Sequence, residues 1–192
     1  MSLAQAAGFI KWRLYILDGL NIGDYSGFAN HVESTKAPGV RLKNKRVQVW
    51  HPLLEDALEC EKWLREIRES ADPGEPTFVL INELEEVIYE KMGFSEEYRK
   101  LEKMGRGLKI TMITLTQEAS YIPRTALGQA TYWVRFFLGN EVDSRKLDKK
   151  MRNFAGEPTT PFGFFFNWRG NRAEALFYRE MKEFLGIGAG GK

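Results

Sequence analysis

Residues 77–88 read TFVLINELEEVI. The first part, TFVLI, is an unbroken apolar and β-branched run with no polar alternation. Such a run predicts a strand buried on both faces, as in a parallel sheet. It ends on an amide, Asn82, and an acid, Glu83. The carboxyl edge of an open parallel sheet is where ligands bind, and a carboxylate there can orient or deprotonate a water. Asn82 equally suits the N-cap of a following helix, so this pair by itself leaves both readings open.

The flanking sequence repeats the theme. Upstream, residues 13–17 (RLYIL) form a β-type run closed by Asp18-Gly19, and residues 46–50 (RVQVW) form another. Residues 25–32 are expected to be helical, and residues 35–45, with Pro, Gly and clustered bases, a loop. Residues 53–70 carry apolar side chains at helical spacing, at Leu54, Ala57, Leu58, Trp63, Leu64 and Ile67. The segment ADPGEP (71–76) then stops the helix. Downstream, the charged residues 96–107 read as helical in their first part, 109–116 (KITMITLT) as a buried strand, and 132–138 (YWVRFFL) as a further one. Residues 141–151 predict a short helix. Residues 162–168 (FGFFFNW) and 173–178 form a hairpin around Arg169-Gly170-Asn171. Strands alternating with helices predict an α/β fold with a mostly parallel sheet and right-handed crossovers. With no repeat and no linker, residues 1–185 read as one domain and the Gly-rich residues 186–192 as a flexible tail.

Composition narrows the function. At 192 residues and 43% hydrophobic, the chain can bury a sizeable core. A net charge of +2 gives no case for nucleic-acid binding, which would have to rest on local clusters. One cysteine, Cys60, excludes an internal disulfide and a zinc cluster and reads as a half-buried thiol. His31 and His51 lack ligand spacing. The cysteine usage fits a reducing, cytoplasmic setting. No apolar run approaches the ~20 residues of a membrane span.

Further residues have chemistry to offer. Gln117 ends the strand 109–116, where a glutamine can place a water or meet a phosphate. Arg106 follows a glycine just before that strand, and Arg145 lies in an Asp-Ser-Arg triplet. Gln117 alone is a weak signal, and either arginine alone also suits a solvated surface charge.

In order, these pieces resemble the motor domain of FtsK/SpoIIIE-type DNA translocases, within the FtsK–HerA group of P-loop ATPases. The matching stretches are FVLINEL for the Walker B strand, EKMGRGLKITMITLTQEASYIP for the arginine-bearing helix end and sensor strand, and TYWVRFFLGNEVDSRKL beyond them. YILDGLNIGDYSGF resembles the family's Asp-terminated strand, and FGFFFNWRG its closing hairpin. The resemblance implies a RecA-like sheet flanked by helices, binding ATP and Mg²⁺. Glu83 falls on the catalytic glutamate, Gln117 on the sensor glutamine and Asn82 on the aspartate that holds Mg²⁺ through water. Arg106 and Arg145 fall on arginines near the nucleotide or at the subunit boundary, and Asp18 on the nucleotide-side strand end. The partners implied are double-stranded DNA and either a homo-oligomeric ring or a complete ATPase subunit. Arg124, Lys43, Lys45 and Arg46 are the expected DNA contacts.

Two departures qualify this. Asn82 keeps the shape of an aspartate without its charge, so Mg²⁺ binding should weaken. No G-x-x-x-x-G-K-[ST] phosphate loop occurs in the sequence, so backbone N–H groups that would surround a triphosphate are not supplied. MSLAQAAGFIKW resembles the helix that follows that loop. An incomplete copy, a loop on another chain or a lost site are the options. With the P-loop strand missing, 109–116 and 132–138 are expected to pair directly or to receive a partner's strand. The function expected is therefore an incomplete or degenerate DNA-translocating ATPase domain, for DNA transfer, partition or packaging, unable to hydrolyse ATP alone. One alternative is a non-catalytic assembly subunit of a motor complex. Another is a PIN/NYN-like metal-dependent ribonuclease, which RLYILDGLNIG resembles and in which Asp18 and Asn21, with Glu83, Glu85 or Asp143, would serve.

Overall fold

The computed structural model describes residues 11–21, 25–28, 31–41, 45–53, 57–83, 95–117, 122, 130, 132–136, 145, 163–168 and 171–177. The chain divides into two compact units, Ile10–Gln117 and a second formed by Met1–Phe9 with Glu118–Lys192.

In the first unit, strands β1 (Arg13–Asp18), β2 (His31–Ser34), β3 (Val47–Trp50), β4 (Thr77–Asn82) and β5 (Ile110–Thr114) form a sheet in the order β2-β3-β1-β4-β5. Every pairing is parallel. Helices α1 (Ala57–Glu69) and α2 (Glu96–Leu108) pack on one face. The α/β class with a parallel sheet, expected from the strand-and-helix alternation, is what forms, and it has the RecA-like architecture that the family resemblance implied.

The apolar positions explain the layering. Along α1, Cys60, Trp63, Leu64 and Ile67 recur at helical spacing and are all buried. They meet Tyr15, Leu17, Trp50, Val79 and Ile81 from the sheet and Tyr98 and Leu101 from α2. Cys60 thus belongs to the stripe, whereas Leu58, expected there, is exposed. Ile16, Val47, Val49 and Tyr25 form a smaller cluster on the opposite face. Along β4, burial alternates: Thr77, Val79 and Ile81 are buried, Phe78 and Leu80 half-buried. The uniform burial expected of TFVLI is not reached, because both described helices cover the same face. Gly105 lets α2 approach the sheet, since a Cβ there would lie 2.8 Å from the Ile110 carbonyl oxygen.

Two expectations are corrected. Among the described residues of 25–32 no helix forms. Phe28 N–H closes a turn on the Tyr25 carbonyl, and His31–Ser34 then pairs with β3 as an edge strand. The ladder to β3 satisfies backbone groups that a short isolated helix would leave half open. Direct pairing of 109–116 with 132–138 is not among the described pairings, which put Ile110–Thr114 and Tyr132–Phe136 in different sheets; the alternative of a partner's strand is untouched by them. In the second unit, β6 (Tyr132–Phe136) pairs antiparallel with β7 (Gly163–Trp168), which pairs antiparallel with β8 (Asn171–Phe177). This places β7 centrally, with backbone partners on both sides. The hairpin forms as expected, with Trp168 opposite Asn171. Of the helices expected over 1–12 and 141–151, only Lys11 and Trp12 of the first are described, and are not helical, and only Arg145 of the second, which is helical. No helix among the described residues is long and apolar enough to cross a membrane.

One core residue breaks the apolar rule. Gln48 of β3 is fully buried, and neither its amide oxygen nor its nitrogen has a hydrogen-bond partner among the described residues. An unsatisfied buried polar group costs about 1–3 kcal/mol. Gln48→Met keeps the volume and removes the polar atoms, so we expect urea unfolding to show a gain of about 1–2 kcal/mol. A loss of stability would show that the amide is satisfied in solution.

Candidate active site

Parallel strands end on one edge, so their last residues converge. β4 and β5 are neighbours with Ile81 opposite Thr114, and the ladder continues through Leu115 N–H to the Ile81 carbonyl, 2.9 Å. Glu83 leaves β4 two residues after Ile81, and Gln117 leaves β5 three residues after Thr114. With strands about 4.8 Å apart, the two side chains can meet. Gln117 Nε2 donates to Glu83 Oε1 at 2.7 Å. Glu83 is buried and Gln117 exposed, so the carboxylate sits just beneath the surface with an amide fixing one of its oxygens. The Glu83 backbone is left-handed, φ 56°. A residue with a Cβ pays roughly 1–2 kcal/mol for that conformation, and strain of this kind concentrates at functional sites. A carboxylate so held can accept a proton from water or orient it.

Beside this pair lies a second buried group. Asp18, wholly buried at the end of β1, stands opposite Asn82 in the β1–β4 register. Asn82 Nδ2 donates to Asp18 Oδ1 at 2.9 Å, and the Tyr25 hydroxyl donates to Asp18 Oδ2 at 2.8 Å. Burial, then the hydrogen bond to Asp18 and its charge, push the Tyr25 phenol up, so it stays a donor. His51, just beyond β3, lies between the Asp18 main-chain carbonyl (Nδ1, 3.0 Å) and the Glu33 carboxylate (Nε2, 2.8 Å). Tyr25, His51 and Glu33 were not singled out from the sequence. The available signal was positional: His51 follows β3 at the edge where Asp18, Asn82 and Glu83 also emerge.

These residues do not fit a protein-held Mg²⁺. Both Asp18 oxygens take hydrogen bonds, Asn82 is neutral and its amide is turned to Asp18, and Glu83 is engaged by Gln117. No cluster of three His, Cys, Asp or Glu side chains able to hold a metal occurs among the described residues. The ribonuclease alternative needs such a cluster. Its Asp18 and Asn21 are at this edge, with Asn21 N–H donating to the Asp18 carbonyl at 3.3 Å, but Glu85 and Asp143 lie outside the described residues.

The remaining candidates are elsewhere. Arg106 is exposed in the last turn of α2, where the Lys109 carbonyl accepts from Thr77 N–H at the start of β4. That is the amino edge, separated from Glu83 by the length of β5, roughly 17 Å at 3.3 Å per residue. Lys45 and Arg46 precede β3 at the same amino edge: Lys45 Nζ donates to the His31 carbonyl at 3.2 Å, and Arg46 is exposed. Arg145 is exposed in the second unit. Lys43 and Arg124 lie outside the described residues.

No family model matches the chain, and no curated protein matches it. Solved structures do. The genome packaging NTPase B204 from Sulfolobus turreted icosahedral virus 2 in complex with ATP-gammaS aligns with TM-score 0.67 at 15% identity, over 90% of this chain and 84% of that one. Its complex with sulfate gives TM-score 0.67 at 15% identity over 91% and 84%. The B204 DNA-packaging ATPase from Sulfolobus turreted icosahedral virus gives 0.62 at 13% over 90% and 84%. At such identity the likeness speaks for the fold, and the α/β, RecA-like architecture of this chain is that of these packaging NTPases.

Proposed function

We propose that this chain is a motor domain of the DNA-translocating ATPase class, acting in DNA packaging or transfer, with Glu83 and Gln117 forming its hydrolytic edge. The observation that carries this reading is the 2.7 Å hydrogen bond between them at the ends of adjacent parallel strands. Glu83 acts as the base or orienting group for the attacking water, and Gln117 holds it and reports on the outer phosphate. The likeness in fold to NTPases solved with ATP-gammaS and AMPPCP supports a nucleotide as the ligand. Arg106, at the opposite edge, would act on a nucleotide held by a neighbouring subunit. Lys45 and Arg46 lie on that same edge as cations for a phosphate backbone, and Arg145 remains a boundary candidate.

No G-x-x-x-x-G-K-[ST] loop occurs in this sequence, so the chain alone is expected to hydrolyse no ATP, and hydrolysis is expected only where such a loop is supplied. The test measures phosphate release by pure protein and by its complex with a chain carrying G-x-x-x-x-G-K-[ST]. Glu83→Gln should lower turnover by the complex by about 10²–10⁴-fold, the usual worth of a general base. Turnover by pure protein, lost on Glu83→Gln, would overturn the incomplete-site reading. Unchanged turnover of the Glu83→Gln complex would remove Glu83 from the chemistry.

The non-catalytic assembly reading rests on a different observation. β5 closes the five-stranded sheet, and its Ile113 and the adjoining Leu115 are exposed. Tight association with a complete motor chain, without any effect of Glu83→Gln, would favour it.

A further inference from the structure

The carboxyl edge raises a chemical question that the motor reading does not answer: why position 82 carries an amide. Asp18 and Asn82 end adjacent parallel strands and face each other in register. The Asp18 carboxylate is wholly buried, and 2.9 Å separates its Oδ1 from Asn82 Nδ2. A carboxylate at position 82 would set two anionic oxygens at that separation, one of them wholly buried and the other half-buried. Like charges so placed require a cation between them or a proton on one of them. The amide instead offers an N–H to Asp18, and the Tyr25 hydroxyl serves the other oxygen.

We propose that the Asn82 amide takes the place of a divalent cation beside Asp18, so that this edge keeps its form without a metal held by the protein. Asp18 is then a positioning residue, turning the Asn82 carbonyl oxygen away from itself. Any divalent ion reaching the neighbouring Glu83 edge arrives with its ligand rather than on these side chains. The inference stands on the geometry of the pair and holds whether or not a nucleotide is the ligand.

The test is thermal unfolding of the full chain in EDTA, and in MgCl₂ or MnCl₂, with calorimetric titration of Mn²⁺. Wild type should have the same Tm in every buffer and take up no Mn²⁺. Asn82→Asp should melt at least about 4 °C lower in EDTA, bind one Mn²⁺ and recover the loss with it. The reciprocal swap, Asp18→Asn with Asn82→Asp, again pairs one amide with one carboxylate. It should melt close to wild type in EDTA and ignore Mn²⁺. Should Asn82→Asp fail to fold in EDTA, folding on adding Mn²⁺ and rescue by the swap both support the proposal. Metal stabilisation of wild type would overturn it, as would a swap no better than Asn82→Asp alone. None of these outcomes depends on ATP turnover, so failure here is distinct from failure of the motor reading.

Discussion

Glu97→Ala is expected to lower the stability of the Ile10–Gln117 unit by about 3–5 kcal/mol, the usual cost of breaking a buried ion pair from one side. Glu97 lies in the first turn of α2 with its side chain fully buried. Arg68 Nε of α1 donates to it at 2.8 Å, Lys100 Nζ at 2.9 Å and Arg65 Nε at 3.4 Å. Its own N–H donates to Glu61 Oε2 of α1 at 3.1 Å. The residue therefore joins the two helices that cover the sheet. Alanine would leave the largely buried Arg68 guanidinium facing a void. Urea unfolding followed by far-ultraviolet circular dichroism measures the loss. Glu96→Ala is the control, because Glu96 bonds Lys100 at the surface and should leave stability almost unchanged.

The same network sets an acid dependence. Burial pushes the Glu97 carboxyl up, but hydrogen bonds from Arg68 and Lys100, with their charges, outweigh burial and hold it below the usual carboxylate range. A depressed folded value means the group contributes stability above its unfolded value, about 4.3. That contribution is lost as pH falls through the folded value. Glu97→Ala should therefore flatten the acid limb of the stability curve, and an unchanged limb would remove Glu97 from that role.

Trp63→Ala is the second large effect, also about 3–5 kcal/mol. The ring meets Tyr15 and Trp50 edge-on, each at 5.5 Å between centroids, and its indole N–H donates to the Pro38 carbonyl at 2.7 Å. Truncation would open a cavity between α1 and the sheet and release the loop after β2. Trp63→Phe keeps much of the volume but not the hydrogen bond, and should cost about 1–2 kcal/mol. Equal losses for the two variants would show that the Pro38 bond, rather than packing, dominates.

Parts of the site were legible in sequence because a parallel sheet has a simple rule. Its strands finish on one edge, so Glu83 and Gln117, each just past an apolar run, had to emerge side by side. The same rule covers Asp18 and Asn82. His51 and Tyr25 obey it less visibly, since they reach Asp18 from the loop after β3 and from a turn, and Glu33 of the edge strand β2 reaches His51 rather than Asp18. Arg106, expected near the nucleotide or at a subunit boundary, emerges away from Glu83 and Gln117. It ends a helix that returns to the amino edge, so its nearness to β5 in sequence places it at the far end of that strand.

Apolar runs and apolar periodicity determined the α/β class, the strands β1, β3, β4 and β5, and helix α1, because burial of one apolar stripe or run is a local property of the chain; of the charged helix α2 only the first part was legible. Only the tertiary structure decided the partners: that 31–34 is a strand, that 132–136 pairs antiparallel with 163–168, and that Asn82 faces Asp18. Those outcomes depend on which backbone donors and buried charges remain to be satisfied once distant segments meet, and no window of sequence contains both members of such a pair.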